Sequence, residues 1–174
     1  MEFQIDRAVE ILGRTPHTLN SLLRDVSDDW ALGNEGPETW SPYDVLGHFI
    51  HGEETDWIPR ARIILEHGES VPFEPFDRFA QFEKSKGKTL GELLDAFESL
   101  RAENLDALKG MNITLAQLEL RGAHPTFGPV TLGQLLASWV VHDLGHISQI
   151  VRVMSRQYTE ASDPWKAFLP ILGE

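Results

Sequence analysis

His142 and His146 stand four residues apart in a long segment whose apolar residues recur at helical spacing. On a helix such a pair stacks on one face, with Cβ atoms about 5–6 Å apart. Both imidazoles can then reach one ion, and zinc, nickel, iron and manganese all accept imidazole nitrogen. A second pair, His48 and His51, lies in another helical segment. These two are three residues apart, and so about 60° from each other around a helix. One can face an interior site while the other faces water, and periodicity does not choose between them. Either one, added to His142 and His146, gives three neutral nitrogen ligands from two helices. Three protein ligands with one open position is the pattern of a catalytic metal, whereas a structural zinc is usually closed by four. A bound ion would acidify its water and polarise a carbonyl or a thiol. The competing reading is that these histidines are hydrogen-bonded polar residues at helix interfaces.

Other side chains could serve such a site. Glu53 and Glu54 follow His48 by one to two turns, and Glu53 could orient a ligand or act as a base. The plain alternative is a solvated or ion-paired face. Asp143 lies beside His142 but points about 100° away on the helix, which disfavours direct ligation. Asp56 and Arg60 have the i,i+4 spacing of a salt bridge. His124 sits in a Pro/Gly loop from which it could reach the mouth of the site. Trp40, Trp57, Trp139 and Trp165 are expected in the core or at a dimer interface.

The elements that must position these residues read as helices. Residues 2–26 carry Ile5, Ala8, Val9, Leu12, Leu19, Leu22 and Leu23 near a 3.6 period, with Thr15-Pro16 as a kink or a restart. Residues 31–39 form a loop by composition. Ser41 as N-cap, Pro42 at N1 and Asp44 at N3 open a helix that runs to about residue 67, before Gly68. Pro59 predicts a kink or break near residues 57–60. Residues 68–88, with two Pro and four Phe, read as an ordered loop pinned by aromatics. Thr89-Leu90-Gly91-Glu92 is a capping box that opens a third helix, to about residue 110. Residues 111–130 hold a short helical or extended piece and the loop 122–129. Thr131-Leu132-Gly133-Gln134 opens the helix carrying His142 and His146, which runs to about Arg156. A short C-terminal helix is expected after Asp163-Pro164. No stretch shows strand alternation, and no linker or repeat divides the chain. Four long helices predict an all-α bundle, in which facing helices can place ligands in the core.

Composition narrows the function. The 174 residues suffice for one domain with a hydrophobic core. No apolar run approaches the roughly 20 residues of a membrane helix, and the acidic, amphipathic start does not resemble a signal peptide. A cytoplasmic location is the expectation. With no cysteine there is no disulfide, thiolate ligand or cysteine nucleophile. A net charge of −12 and the absence of a basic stripe argue against nucleic acid.

The ordered set of motifs resembles a known family. Trp40-Ser41-Pro42-Tyr43-Asp44-Val45-Leu46-Gly47-His48, then Phe49-Ile50-His51-Gly52-Glu53, then Val130-Thr131-Leu132-Gly133-Gln134-Leu135-Leu136, then His142-Asp143-Leu144-Gly145-His146-Ile147-Ser148-Gln149-Ile150 are similar to the DinB / YfiT-like superfamily. The resemblance covers most of the chain. It implies a DinB-like four-helix bundle over residues 1–174 as a single domain, in which a histidine of the second long helix and the HxxxH pair of the last bind a divalent metal. Carried over by position these are His48, His142 and His146, with His48 preferred to His51 by its offset from Trp40 and Ser41. It also implies a homodimer and a small-molecule substrate. The activity would be that of a metal-dependent hydrolase, or of a transferase using bacillithiol, mycothiol or glutathione, with zinc, nickel, iron or manganese as the ion. In the second case a cofactor thiol would become the nucleophile. Two other classes remain at this point: a non-catalytic or stress-induced metal-binding dimer, and a helical dimer without metal.

Overall fold

The computed structural model describes residues 2–173. The first arm of the bundle is broken in two. α1 (Ile5–Leu12) ends at Gly13, and α2 (Thr15–Leu23) restarts with Pro16 in its first turn, where the missing N–H has no helical partner to lose. After the short α3 (Asp28–Leu32), Ser41 caps α4 (Pro42–Thr55): its hydroxyl accepts from the Asp44 N–H, and the Asp44 carboxylate accepts from the Ser41 N–H. The break expected near Pro59 falls at Asp56, before α5 (Trp57–His67). Pro59 is thus in the first turn of α5, which tolerates it.

Residues 68–88 depart from the loop reading. They hold a 3-10 turn at Gly68–Ser70 and a short helix, α6 (Ala80–Ser85). α6 lies close against α4 because Gly47 has no side chain; a methyl there would collide with Ser85 Oγ. Tyr43 Oη sits 2.6 Å and 2.8 Å from the carbonyls of Ser85 and Lys88 and ties down the exit of α6. Thr89 and Thr131 both form the expected capping boxes, opening α7 (Leu90–Gly110) and α8 (Leu132–Arg156).

Between α7 and α8, where a short helical or extended piece and a loop were expected, the structure has a hairpin. β1 (Arg121–His124) pairs antiparallel with β2 (Gly128–Thr131), Gly122 facing Val130. Four-residue strands with Gly and Pro in them carry no alternation to read. Gly122 is needed, since a Cβ there would lie 2.7 Å from Ile64 and Phe73. The C-terminal segment forms 3-10 turns at Trp165–Phe168 and Pro170–Leu172 in place of a regular helix.

α1 and α5 pack on α8, α2 and α4 on α7, and α4 on α8, which makes the four-helix bundle. Its apolar interior has two halves. One gathers Leu12, Trp57, Ile64, Leu132, Leu136 and Trp139; the other gathers Leu19, Leu46, Phe49, Leu93, Phe97 and Ile150. Burying each such side chain contributes about 1.5–3 kcal/mol. A buried polar layer of Glu53, Arg101 and Asp143 separates them, and the histidines lie beside it.

Candidate metal centre

α4 and α8 bring His48, His142 and His146 together. One ring nitrogen from each lies within 4.8 Å of the others, a geometry that could hold a metal ion. His48 Nε2 and His142 Nε2 are 3.0 Å apart. Two nitrogens each about 2.0–2.1 Å from one ion fit that spacing. His48 is buried, while His142 and His146 are partly exposed, so the group has a solvent side. A cavity of about 300 Å³, lined in part by Trp40, Arg78, His146 and Gln149, opens there. The Trp40 ring stacks near-parallel on His146 at 6.3 Å and lies 5.0 Å from His48.

The surroundings set the tautomers. His48 Nδ1 is 3.1 Å from the Gln81 carbonyl oxygen, and His146 Nδ1 is 2.7 Å from that of Gln149. A carbonyl only accepts, so each Nδ1 carries the proton and each Nε2 presents a bare lone pair. His142 Nδ1 is buried without a hydrogen-bond partner among the described residues, with Asp143 Oδ1 3.7 Å away. Burial, reinforced by the neighbouring histidines, pushes His48 down to about 3. Burial and then His142 push His146 down to about 4. Both are therefore neutral, as metal ligands must be. Two neutral imidazoles with fixed lone pairs, and a third ring beside them with an orphaned nitrogen, suit a divalent ion.

The polar layer lies behind His142. Arg101, 1% exposed, donates to Asp143 at 2.6 and 3.2 Å, to Glu53 at 2.8 Å and to the Leu12 carbonyl at 2.8 Å. Burial opposes the charge on Arg101, but Asp143 and Glu53 outweigh it and raise its pKa. Glu53 also accepts from Asn104 at 3.0 Å and from the Trp139 indole at 3.2 Å. Its side chain is fully buried, so the carboxylate faces Arg101, Asn104 and Trp139 and not the histidine group. Two carboxylates around one guanidinium leave one formal negative charge beneath the site.

Other expected residues fall elsewhere. His51 is buried with Nδ1 3.2 Å from Lys84 Nζ and its ring against Phe76, apart from the histidine group. Asp56 and Arg60 form the i,i+4 ion pair at 2.5 Å. His124 lies on the hairpin and borders a different cavity, between α5 and α8. Trp57 and Trp139 are buried and stack on each other at 5.6 Å; Trp165 is 69% exposed. Gln81, Gln149, Arg101 and Asn104 were not singled out by sequence. Gln149 alone had a signal, its three-residue distance from His146.

A comparison with family models matches residues 11–150 to the family described as the DinB superfamily. Among solved structures, YfiT from Bacillus subtilis is similar, with a TM-score of 0.76 and 23% sequence identity over 88% of this chain and 87% of that one. YfiT is described as a probable metal-dependent hydrolase with an unusual four-helix bundle topology. At that identity the likeness carries the fold. No curated protein matches the chain.

Proposed function

The chain belongs to the DinB superfamily, and on that premise we propose that it is a metal-dependent enzyme acting on a small molecule. His48, His142 and His146 hold one divalent ion, zinc, nickel, iron or manganese. The observation that carries this is the convergence of three ring nitrogens within 4.8 Å, two of them in rings whose Nδ1 faces a glutamine carbonyl. A divalent ion there supplies Lewis acidity, enough to acidify water or a thiol beside it. The partial exposure of His142 and His146 supports an open coordination position, and with it catalysis over a closed structural site. Hydrolysis is the first reaction to test, since YfiT, similar in fold, is described as a probable hydrolase. Transfer to an external low-molecular-weight thiol is the second; a chain without cysteine leaves such a thiol to come from outside.

Glu53 acts by position. It holds Arg101, which holds Asp143, whose carboxylate faces the free Nδ1 of His142. Its burial and three partners favour this role over that of a base. We read the chain as one domain, working as a homodimer. The exposed Val141 and Leu144 on α8 support a subunit contact, which sedimentation would test.

The deciding experiment is elemental analysis of the wild type beside His48→Ala and His142→Ala/His146→Ala. About one equivalent of metal, lost in both variants, supports the reading and justifies hydrolysis and thiol-transfer screens. No metal after reconstitution with zinc, nickel or manganese sinks it.

A further inference from the structure

A cavity of about 560 Å³ lies between α5, α8 and the hairpin. Its position follows from two stripes. On the second arm His48, Gly52, Asp56 and Arg60 recur every four residues; on α8 Gln134, Ser138, His142 and His146 do the same. Residues four apart share a helix face. His48 meets His142 and His146, while Asp56 and Arg60 border the cavity together with Gln134 and Ser138. The cavity therefore lies beyond the histidine group along α8, on the α5 side of the break at Asp56. Trp57 is the common wall, lining the cavity and meeting the His142 ring edge-on at 5.1 Å.

The far end is rich in unpartnered donors. Arg60 is 7% exposed; its Nε faces Asp56, and its Nη2 donates to the Glu74 carbonyl at 3.1 Å. Its Nη1 has no partner among the described residues. His124 Nδ1 accepts from the N–H groups of Thr126 and Phe127 at 3.1 and 3.2 Å. That places the ring proton on Nε2, which has no partner among the described residues. Gln134 Oε1 accepts from the Thr131 N–H at 2.8 Å, and its amide N–H groups have no partner among the described residues. The walls between are aromatic: Phe127 stacks on His124 at 4.5 Å, and the Arg60 guanidinium lies over Phe73 at 5.2 Å.

We propose that this cavity is the substrate pocket and that it takes a small aromatic carboxylate. The carboxylate lies against Arg60 and His124, and the ring runs along Trp57 toward His142. Arg60 Nη1 and the His124 Nε2–H both belong to the cavity lining and can donate to an oxyanion, while the Asp56 carboxylate beside them is paired with Arg60 Nε. Along α8 the cavity lining begins at Gln134, about 12 Å from His142 at 1.5 Å per residue. The pocket's role as a reaction site rests on the metal reading; its capacity to bind does not.

The test uses 3-phenylpropionate, titrated by calorimetry and ligand-detected NMR into the full chain before and after zinc loading, with 3-phenylpropanol as the uncharged control. The acid is expected to bind one to one in both states, and the alcohol about tenfold or more weaker, as for loss of a charge-assisted hydrogen bond. Ser138→Phe, which fills the cavity from an exposed position on α8, abolishes binding; His124→Ala weakens it severalfold. Both variants keep the thermal midpoint and zinc content of the wild type. No binding by the wild type, equal binding of the alcohol, or undiminished binding by Ser138→Phe overturns the proposal. Zinc content decides the metal reading separately: a chain that binds the acid and takes up no zinc keeps the pocket and loses the centre.

Discussion

Gln149 stands one helical turn beyond His146, and its carbonyl holds that ring's Nδ1 proton. Partners of this kind fix both the tautomer and the aim of a ligand, and their loss typically costs 10–100-fold in metal affinity. Gln149→Leu is expected to weaken zinc binding by about that factor without unfolding the chain. Competition against a chromophoric chelator measures it, and unchanged affinity would remove Gln149 from the centre. Arg101 acts on folding. Arg101→Met leaves Glu53 and Asp143 as uncompensated buried charges, which costs about 3–5 kcal/mol in urea unfolding. A loss below about 1 kcal/mol would mean that the layer neutralises itself by taking up a proton. At this scale the sequence was legible only over short range. The HxxxH spacing shows which imidazoles share a face of α8, because helix geometry fixes it. Gln81 lies 33 residues from His48, and the charged layer draws on three separate helices. Such contacts exist only after packing.

Helix starts were legible because capping chemistry is local. Ser41, Thr89 and Thr131 each form a reciprocal box with the residue three positions on. α6 and the hairpin were not, because six-residue and four-residue elements are too short for a period to emerge. They owe their existence to tertiary contact. α6 is held by the glycine gap at Gly47 and by Tyr43, and it delivers Gln81, 1% exposed, to the back of His48. That dependence is testable. Gly47→Ala puts a methyl into Ser85, and overpacking of this kind costs about 1–3 kcal/mol. If α6 moves to make room, His48 loses its hydrogen bond to Gln81, so zinc affinity falls together with stability. Ser85→Gly introduced beside Gly47→Ala restores both. A variant that loses stability and keeps full zinc affinity would show that α6 supports α4 without aligning the ligand.

For the molecule as a whole, the histidines of the centre tie stability to pH in a definite direction. His48 and His146 are held near 3 and 4 in the folded chain, chiefly by burial, against an ordinary value of about 6.5. Burial also lowers His51 and His124. Between those folded values and 6.5 the unfolded chain binds more protons than the folded one, so stability must fall as pH falls. The contribution is whole above about 6.5 and lost progressively toward 4 and below. The carboxylates of Glu35 and Asp143, held low by Arg152 and by His142 with Arg101 despite burial, add their loss only at lower pH. Asp56 works in the opposite sense, because burial raises its pKa. The histidines therefore dominate the upper part of the acid limb. In the metal-free protein, kept so with a chelator, the thermal midpoint should be flat from pH 8 to about 7 and then decline toward pH 4.5. His48→Leu/His146→Leu, which removes the two groups and keeps the interior filled, should flatten that decline while removing metal binding. A wild-type midpoint that holds steady from pH 7.5 to 5 would mean that these rings become protonated in the folded state. An imidazolium cannot ligate a metal, and a centre open to protons at that pH would bind its ion weakly there.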